Sequence, residues 1–495
     1  MDLKRYLAFD LGAESGRAII GSIENNLVNY KEIYRFSNKS VELNSNLYWD
    51  ILCIYDHLLQ GIRSCAKIYG KDIHGIGIDS WGVDYCLIDV HGNLVGNAHH
   101  YRDARTTDTP EIIDTIFGKK QLYAITGVQM LQINTLNQLI ASKRVNDPVM
   151  IIADKLLFIA DFFHYCFSGI KVAEFTAVSI SQLFNNKTFQ WDDRIFEAFD
   201  LPRRIAPELV YAGTVIGRLK PEIALETGLN QTKVIAPAVH DTASAVVSIP
   251  VASENGWAFL SSGTWSILGL ELDAPIIDER SMALNISNSG GAFGKTLYLK
   301  NVMGLWIIQQ CKRYWNKENP SLDYTDLVNL AFKAAPFSAF IDPDDICFLN
   351  AKDTPNEILK FCKRTDQFVP DKEDIGTISR IIFENLAMKY RWVLEQLLEG
   401  SGSDVEAMYI IGGGSKNELM NQFTANAINR KVFVSSEEAS SIGNIMMQAV
   451  GDGLYGSLRE VRQIIKASFD VKEYSPLNQS QWKVQYDNFR NLITQ

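Results

Sequence analysis

Residues 6–23 read YLAFDLGAESGRAIIGSI. An apolar run, Tyr6 to Phe9, stops at a single acid, Asp10, and a second run, Ala18 to Ile23, begins after a small polar bend. Two short apolar runs around a Gly-bearing turn predict a β-hairpin with strands over 6–12 and 17–23. The bend holds a hydroxyl, Ser15, and a guanidinium, Arg17. Glycine-rich bends let backbone N–H groups approach a phosphate, and a hydroxyl and an arginine add donors and positive charge. A carboxylate is repelled by bare phosphate but suits a hydrated Mg²⁺ that bridges to the phosphates. On its residues alone, DLGAESGR is either a Mg·nucleotide cradle or an ordinary hairpin with a solvated turn.

The rest of the chain extends an α/β alternation. LYWDILCIYDHLLQGIRSCAKIYG spaces Ile51, Ile54, Leu58, Ile62 and Cys65 as one helix face and ends at Gly70. IHGIGIDSWGVDYCLID (73–89) reads as two strands with Gly82 between them. Residues 110–230 read as mostly helical, VIAPAV (234–239) as a buried strand, and HDTASAVV as a helix start. SIPVASENG (248–256) is the expected linker, dividing the chain into 1–247 and 248–495. WAFLSSGTWSILGLEL (257–272) repeats the grammar of 6–23, strand, small polar bend, strand, which predicts an internal duplication of structure. Near the end, ISRIIFENLAMKYRWVLEQLLEG is an amphipathic helix, and EAMYII (406–411) leads into GGGSKNELMNQFTANAIN. Ser415 and Glu418 have capping-box spacing, so a helix is expected directly after the three glycines.

Composition narrows the function classes. A chain of 495 residues holds two or three domains at about 150 residues each. A formal net charge of −10 argues against nucleic acid or an anionic membrane as a broad-surface partner. Seven scattered cysteines, none in a CxxC pair, predict reduced thiols. The start, MDLKRYLAFDLG, has no apolar leader, and no stretch approaches the roughly 20 apolar residues of a membrane span. The expectation is a soluble cytoplasmic protein, monomeric or a small homo-oligomer.

VHDTAS places Asp241 at a strand-to-helix junction, where α/β proteins hold ligands at a sheet edge. His240, Asp241 and Thr242 suit the hydroxyls of a polyol, and equally suit an ordinary helix start. SGGAFGKT (289–296) misses the phosphate-loop pattern by one glycine, and the strand-like LYLKNV follows where that loop needs a helix. No HExxH set and no GxSxG elbow occurs.

Taken in order, FDLGAESGR, GIDSWGVDY, HHYRDART, VHDTASAV, LSSGTWS, LKNVMGLWIIQ and IIGGGSKN resemble the FGGY carbohydrate kinases, from Tyr6 to about Val450. The resemblance implies an actin/hexokinase-like (ribonuclease H-like) α/β fold of two domains with a cleft between them. It implies ATP-dependent phosphorylation of a 6-deoxyketohexose, L-rhamnulose in the first place, with L-fuculose or another ketose as the alternative. A non-catalytic, nucleotide-gated protein of the actin kind is the alternative from another class. By the same resemblance Asp241 is the general base and Asp10 holds Mg²⁺. Gly82, Asp84, His240 and Thr242 contact sugar, and Asn301 reaches toward the sugar or the nucleotide. Ala13, Glu14, Ser15, Gly16, Arg17, Thr264, Gln309, Gly413 and Gly414 belong to the ATP site. Glu14 departs from the small residues usual there and is expected to face solvent or pair with a base.

Overall fold

The computed structural model describes residues 3–251, 256–349 and 351–494, so residues 252–255 of the expected linker lie outside the described residues. The chain forms two compact units. The first comprises Met1–Glu254, Glu271–Tyr298 and Glu438–Phe469, and the second Asn255–Leu270, Leu299–Glu437 and Asp470–Gln495. Each unit is drawn from separated stretches of the chain.

The sheet of the first unit holds β1 (Lys4–Leu11), β2 (Ser15–Glu24), β3 (Leu27–Ser37), β4 (Gly75–Ser80), β5 (Thr214–Arg218) and β6 (Lys233–Ala236). Their spatial order is β3-β2-β1-β4-β6-β5. β1 and β2 form the expected hairpin, with Asp10 opposite Arg17. β1 and β4 run parallel, with Asp10 beside Asp79. Helix α1 (Ile51–Tyr69) is capped by Asp50, whose carboxylate accepts from the Cys53 N–H at 3.1 Å. Helices α2 (Asp241–Val247) and α3 (Ala439–Gly451) complete the elements that frame the site.

Alternation along β1 decides which helix meets Asp10. Leu7, Phe9 and Leu11 join one core with Leu58 and Ile62 of α1, while Tyr6 and Ala8 join another with Ile442, Ile445 and Met446 of α3. Full burial of Leu58 or Ile62 contributes about 1.5–3 kcal/mol each. Side chains alternate across a strand, so Asp10 falls on the Tyr6/Ala8 face, toward α3. β4 follows the same rule: Ile76 and Ile78 belong to the α1 core, and Gly75, Gly77 and Asp79 turn the other way. A Cβ on Gly77 would lie 2.7 Å from Asn444 Oδ1 of α3. The two glycines let α3 approach closely, and Asp79 is the next residue in that row.

A second sheet contains β7 (Trp257–Ser262), β8 (Trp265–Leu272), β9 (Thr296–Met303), β10 (Ala407–Ile411), β11 (Lys431–Val434) and β12 (Lys472–Tyr474), with the short strand Ser287–Gly290 beside β9 as its seventh. From β9 onward its order, β9-β8-β7-β10-β11-β12, repeats that of the six-stranded first sheet. β7 pairs antiparallel with β8 and parallel with β10, as β1 does with β2 and β4. The echo between 6–23 and 257–272 is therefore a repeat of topology.

Two local expectations change. The stretch 110–230 carries short strands among its helices, including Lys155–Phe158, Val172–Glu174 and β5, each too short or too irregular to show a period. The two strands expected over 73–89 form as β4 and Tyr85–Ile88, and the latter pairs with Lys155–Phe158. The late helix runs Glu418–Ile428, and Asn417 caps it by accepting from Met420 N–H at 3.0 Å. Ser415 sits in a short 3₁₀ turn, Gly413–Lys416, between the glycines and that helix.

Candidate active site

Three carboxylates of the first unit gather at the ends of β1, β4 and β6. Asp10 is buried and accepts hydrogen bonds from Arg17 Nη2, from Ser440 Oγ at 2.9 Å and from Ser441 Oγ at 3.5 Å. Arg17 also pairs with Glu438 just before α3. Asp79 is fully buried and accepts from Asn444 Nδ2 at 2.6 Å. Among the described residues its Oδ1 has no hydrogen-bond partner. Burial pushes the Asp79 carboxyl well above the usual carboxylate range, and the charges of Asp10 and Asp241 add to the effect.

Asp241 is the first residue of α2, after His240. Its Oδ1 accepts from Thr242 N–H at 2.5 Å and from the Thr242 hydroxyl at 3.1 Å. Burial raises its pKa, His240 opposes the rise and Asp10 adds to it. His240 Nε2 lies 3.6 Å from Asp241 Oδ1, and burial lowers the His240 pKa, which leaves the ring neutral at pH 7. The Asp241 side chain is 37% exposed, against 8% for Asp10. It is the most exposed of the three carboxylates. α3 holds α2 closely: Ser244 Oγ donates to Ser440 O at 2.8 Å, and a Cβ on Gly443 would lie 1.8 Å from Ser244 O.

The other sugar-side residues divide. Gly82 lies against His240, since a Cβ there would sit 3.2 Å from His240 Cδ2. Asp84, expected to meet the sugar, is fully enclosed. Its oxygens accept from Trp49 Nε1 at 2.6 Å, Gln138 Nε2 at 2.7 Å, Trp81 Nε1 at 2.9 Å and Tyr101 N–H at 3.2 Å. Burial pushes its pKa up to about 6 against the pull of these donors. Asp84 therefore fixes two indoles, whose ring centroids are 4.2 Å apart, and leaves no open oxygen.

The 12–16 turn is braced by Gly12 N–H to Ser15 O at 2.9 Å and by Asn38 Nδ2 to Gly12 O at 2.9 Å. Ala13 and Ser15 are half-buried, and Glu14 is exposed. Gly16 has a packing reason of its own, because a Cβ there would overlap the Phe36 ring.

In the second unit the β7–β8 bend is strapped to the start of helix Trp306–Trp315. Leu305 N–H donates to Gly263 O at 2.9 Å and Trp306 N–H to Thr264 O at 3.1 Å. Gln309 follows one turn later, and its Oε1 has no hydrogen-bond partner among the described residues. Gly414 is pressed against Ser262 and Leu305, whereas Gly413 is exposed with nothing within 4 Å of a Cβ. Thr264, Gln309, Gly413 and Gly414 thus belong to one neighbourhood. Asn301 is half-buried on β9. SGGAFGKT is followed by β9 and not by a helix, and Lys295 pairs with Asp273 at 2.5 Å.

Residues 5–248 match the N-terminal domain of the FGGY family of carbohydrate kinases, and residues 258–451 match its C-terminal domain. The chain belongs to the FGGY family of carbohydrate kinases. This FGGY kinase is 40% identical over 490 residues to a rhamnulokinase of Bacteroides thetaiotaomicron, covering 99% of both chains. It is 34% identical over 472 residues to a rhamnulokinase of Bacillus subtilis, covering 95% of each. The same fold occurs in a xylulose kinase from Lactobacillus acidophilus, with TM-score 0.82, 16% identity and coverage of 99% and 97%. A Plasmodium falciparum glycerol kinase with ADP superposes with TM-score 0.80 at 15% identity, covering 99% of this chain and 98% of that one. Among the described residues no helix is long and apolar enough to cross a membrane.

A kinase of this family uses ATP and a divalent metal, and the oxygen chemistry around Asp10 suits such an ion. Among the described residues no group of three or more His, Cys, Asp or Glu forms a metal cage. Mg²⁺ keeps most of its waters and is bound through one or two carboxylates plus substrate phosphates, so it needs no cage. The unpartnered oxygen of Asp79 and the clustered acids Asp10 and Asp241 make that region one where positive charge is favoured.

Sequence reading missed Asp79, Glu438, Ser440, Ser441 and Asn444 of this kinase. The one available signal was the alternation G-I-G-I-D in β4, which puts the acid on the same face as two glycines. The α3 residues gave none, because Ser440 reaches Asp10 across 430 positions of chain and Asn444 reaches Asp79 across 365.

Proposed function

We propose that this chain transfers the γ-phosphoryl group of ATP to O1 of L-rhamnulose, giving L-rhamnulose 1-phosphate and ADP. The observation that carries the reading is Asp241, a half-exposed carboxylate held at a helix start within an otherwise buried acidic cluster. Near full-length likeness to proteins called rhamnulokinase supports the choice of sugar.

In this reading Asp241 accepts the proton of the O1 hydroxyl as that oxygen attacks phosphorus and the bond to the ADP oxygen breaks. Phosphoryl transfer depends on positioning and charge more than on covalent help. The raised pKa of Asp241 makes it a better proton acceptor than an ordinary carboxylate. Thr242 fixes its orientation through two hydrogen bonds. Gly82, His240 and Asn301 are assigned to the sugar. Asp84 serves it through Trp81 and Trp49, whose apolar faces suit a C6 methyl group. The Ala13–Arg17 turn, Glu14 included, is assigned to the phosphates. Thr264, Gln309, Gly413 and Gly414 are assigned to the rest of the nucleotide, the bare backbone at Gly413 suiting a flat base. Residues 1–247 thus supply the sugar side and 248–495 most of the nucleotide side. Asp10 is the residue that would hold the water shell of Mg²⁺, which supplies charge neutralisation for the phosphates. The reading places the enzyme in the cytoplasm, with no nucleic acid or membrane partner.

ADP release measured side by side with L-rhamnulose, L-fuculose, D-xylulose and L-ribulose tests the substrate. A hydroxyl that leaves a pocket group unpaired costs about 1–3 kcal/mol, or one to two decades in kcat/KM. The expected result is a preference of at least about tenfold for L-rhamnulose. A tenfold preference for L-fuculose would overturn the sugar and leave the kinase, and ADP release indifferent to every sugar would overturn both.

A further inference from the structure

Two buried acids of the first unit have no part in the chemistry above. Glu174 and Asp161 are 0% and 1% exposed, and burial pushes both up, Glu174 to about 7. Isolated buried carboxylates are costly, so their partners reveal what they are for. Asp161 accepts from the backbone N–H of Glu174 through both oxygens, each at 3.2 Å. Glu174 Oε2 accepts from Thr176 N–H at 2.9 Å, from the Thr176 hydroxyl, and from Val239 N–H at 3.1 Å. Thr176 Oγ1 in turn accepts from His240 N–H at 3.0 Å.

The last two bonds converge on the two residues directly before Asp241. Their remaining backbone groups are held as well. Val239 O accepts from Ser80 N–H at 2.8 Å, and His240 O accepts from Ser244 N–H within α2 at 2.9 Å. Both N–H and both C=O groups of the approach to Asp241 are therefore fixed, two of them by side chains that lie more than 60 positions away in sequence. These two N–H groups precede α2, and Val239 is buried, so partners elsewhere in the fold must satisfy them.

We infer that Glu174 and Thr176 are positioning residues for Asp241, a buried bracket that sets the direction in which α2 presents its first carboxylate. The inference rests on Asp241 being the general base. An acid suits this buried place because one oxygen, Glu174 Oε2, accepts from two backbone N–H groups and a hydroxyl at once. Catalytic geometry is sensitive at this level, because a shift of about 1 Å can cost 10²-fold in rate. Glu174 itself stays out of the reaction; it touches backbone N–H groups and the Thr176 hydroxyl.

The test compares Glu174→Gln, Thr176→Val and Thr176→Ser in the full chain, reading kcat, KM for sugar and ATP, and amide hydrogen exchange at Val239 and His240. Thr176→Val keeps the side-chain shape and removes one hydroxyl, so it remains informative where Glu174→Gln does not fold. The expected result for Thr176→Val is a fall in kcat of about 10–100-fold with KM values within about threefold. Exchange at His240 rises in the same variant, and Thr176→Ser returns kcat to within about threefold of the parent. Parental kcat in Thr176→Val overturns the inference, with or without faster exchange. A loss confined to KM overturns it too, since the bracket would then shape binding. Full activity in Asp241→Asn would instead remove the assignment of the base, and the exchange at His240 would still report whether the bracket exists.

Discussion

Asp241→Asn lowers kcat by about 10²–10⁴-fold while the sugar still binds. The amide keeps the size of the carboxylate and can still accept from Thr242, so α2 keeps its start. What is lost is the ability to take a proton. Single-turnover rates, with sugar binding followed by a shift in melting temperature, separate the two effects. A variant that keeps more than about a tenth of kcat when chemistry limits the rate would show that Asp241 is not the base. The parent enzyme carries a related sign. Burial raises the Asp241 pKa, with the Asp10 charge adding to it, and the base works only when deprotonated. The acid limb of kcat/KM is therefore expected above the ordinary carboxylate value of about 3.9, with activity lost as pH falls through it. Asp241→Asn abolishes that limb in its residual activity.

Asp10→Asn is the second large effect, a drop of about 10²-fold in kcat/KM for ATP. Asp10 carries the charge that balances Arg17, and two serine hydroxyls of α3 aim it. Asparagine keeps the outline but turns an N–H₂ toward one set of donors and removes the charge that orients a hydrated cation. The Mg²⁺ concentration for half-maximal rate should rise, while the sugar affinity of the variant stays near that of the parent. An unchanged Mg²⁺ dependence would remove Asp10 from that role.

Asp10 and Asp241 were legible because an acid that ends an apolar run demands a reason. The hairpin, α1 and the repeated strand order were legible too, because period-two and helical spacing are local properties of the chain. Asp79 was not, since between Ile78 and Ser80 it reads as an ordinary strand end. Nor were Ser440, Ser441 and Asn444, which look like the polar face of a small-residue helix until β1 and β4 are seen to turn Asp10 and Asp79 toward them. The surroundings of Asp84 were not legible either. Its place in WGVDY suggested a ligand contact, and spacing gave no sign that both oxygens accept from two tryptophans, a glutamine and a backbone amide. The cap of helix Glu418–Ile428 moved from Ser415 to Asn417 because the glycines continue into a 3₁₀ turn, a local geometry that spacing alone does not reveal.

The most direct measurement is the identity of the product. Incubation with ATP, Mg²⁺ and L-rhamnulose, followed by ³¹P and ¹³C NMR, should give one phosphomonoester coupled to C1 of the ketose, with one ADP formed for each sugar consumed. Inorganic phosphate released while the sugar stays unchanged, or a phosphate carried on another carbon, would contradict the account.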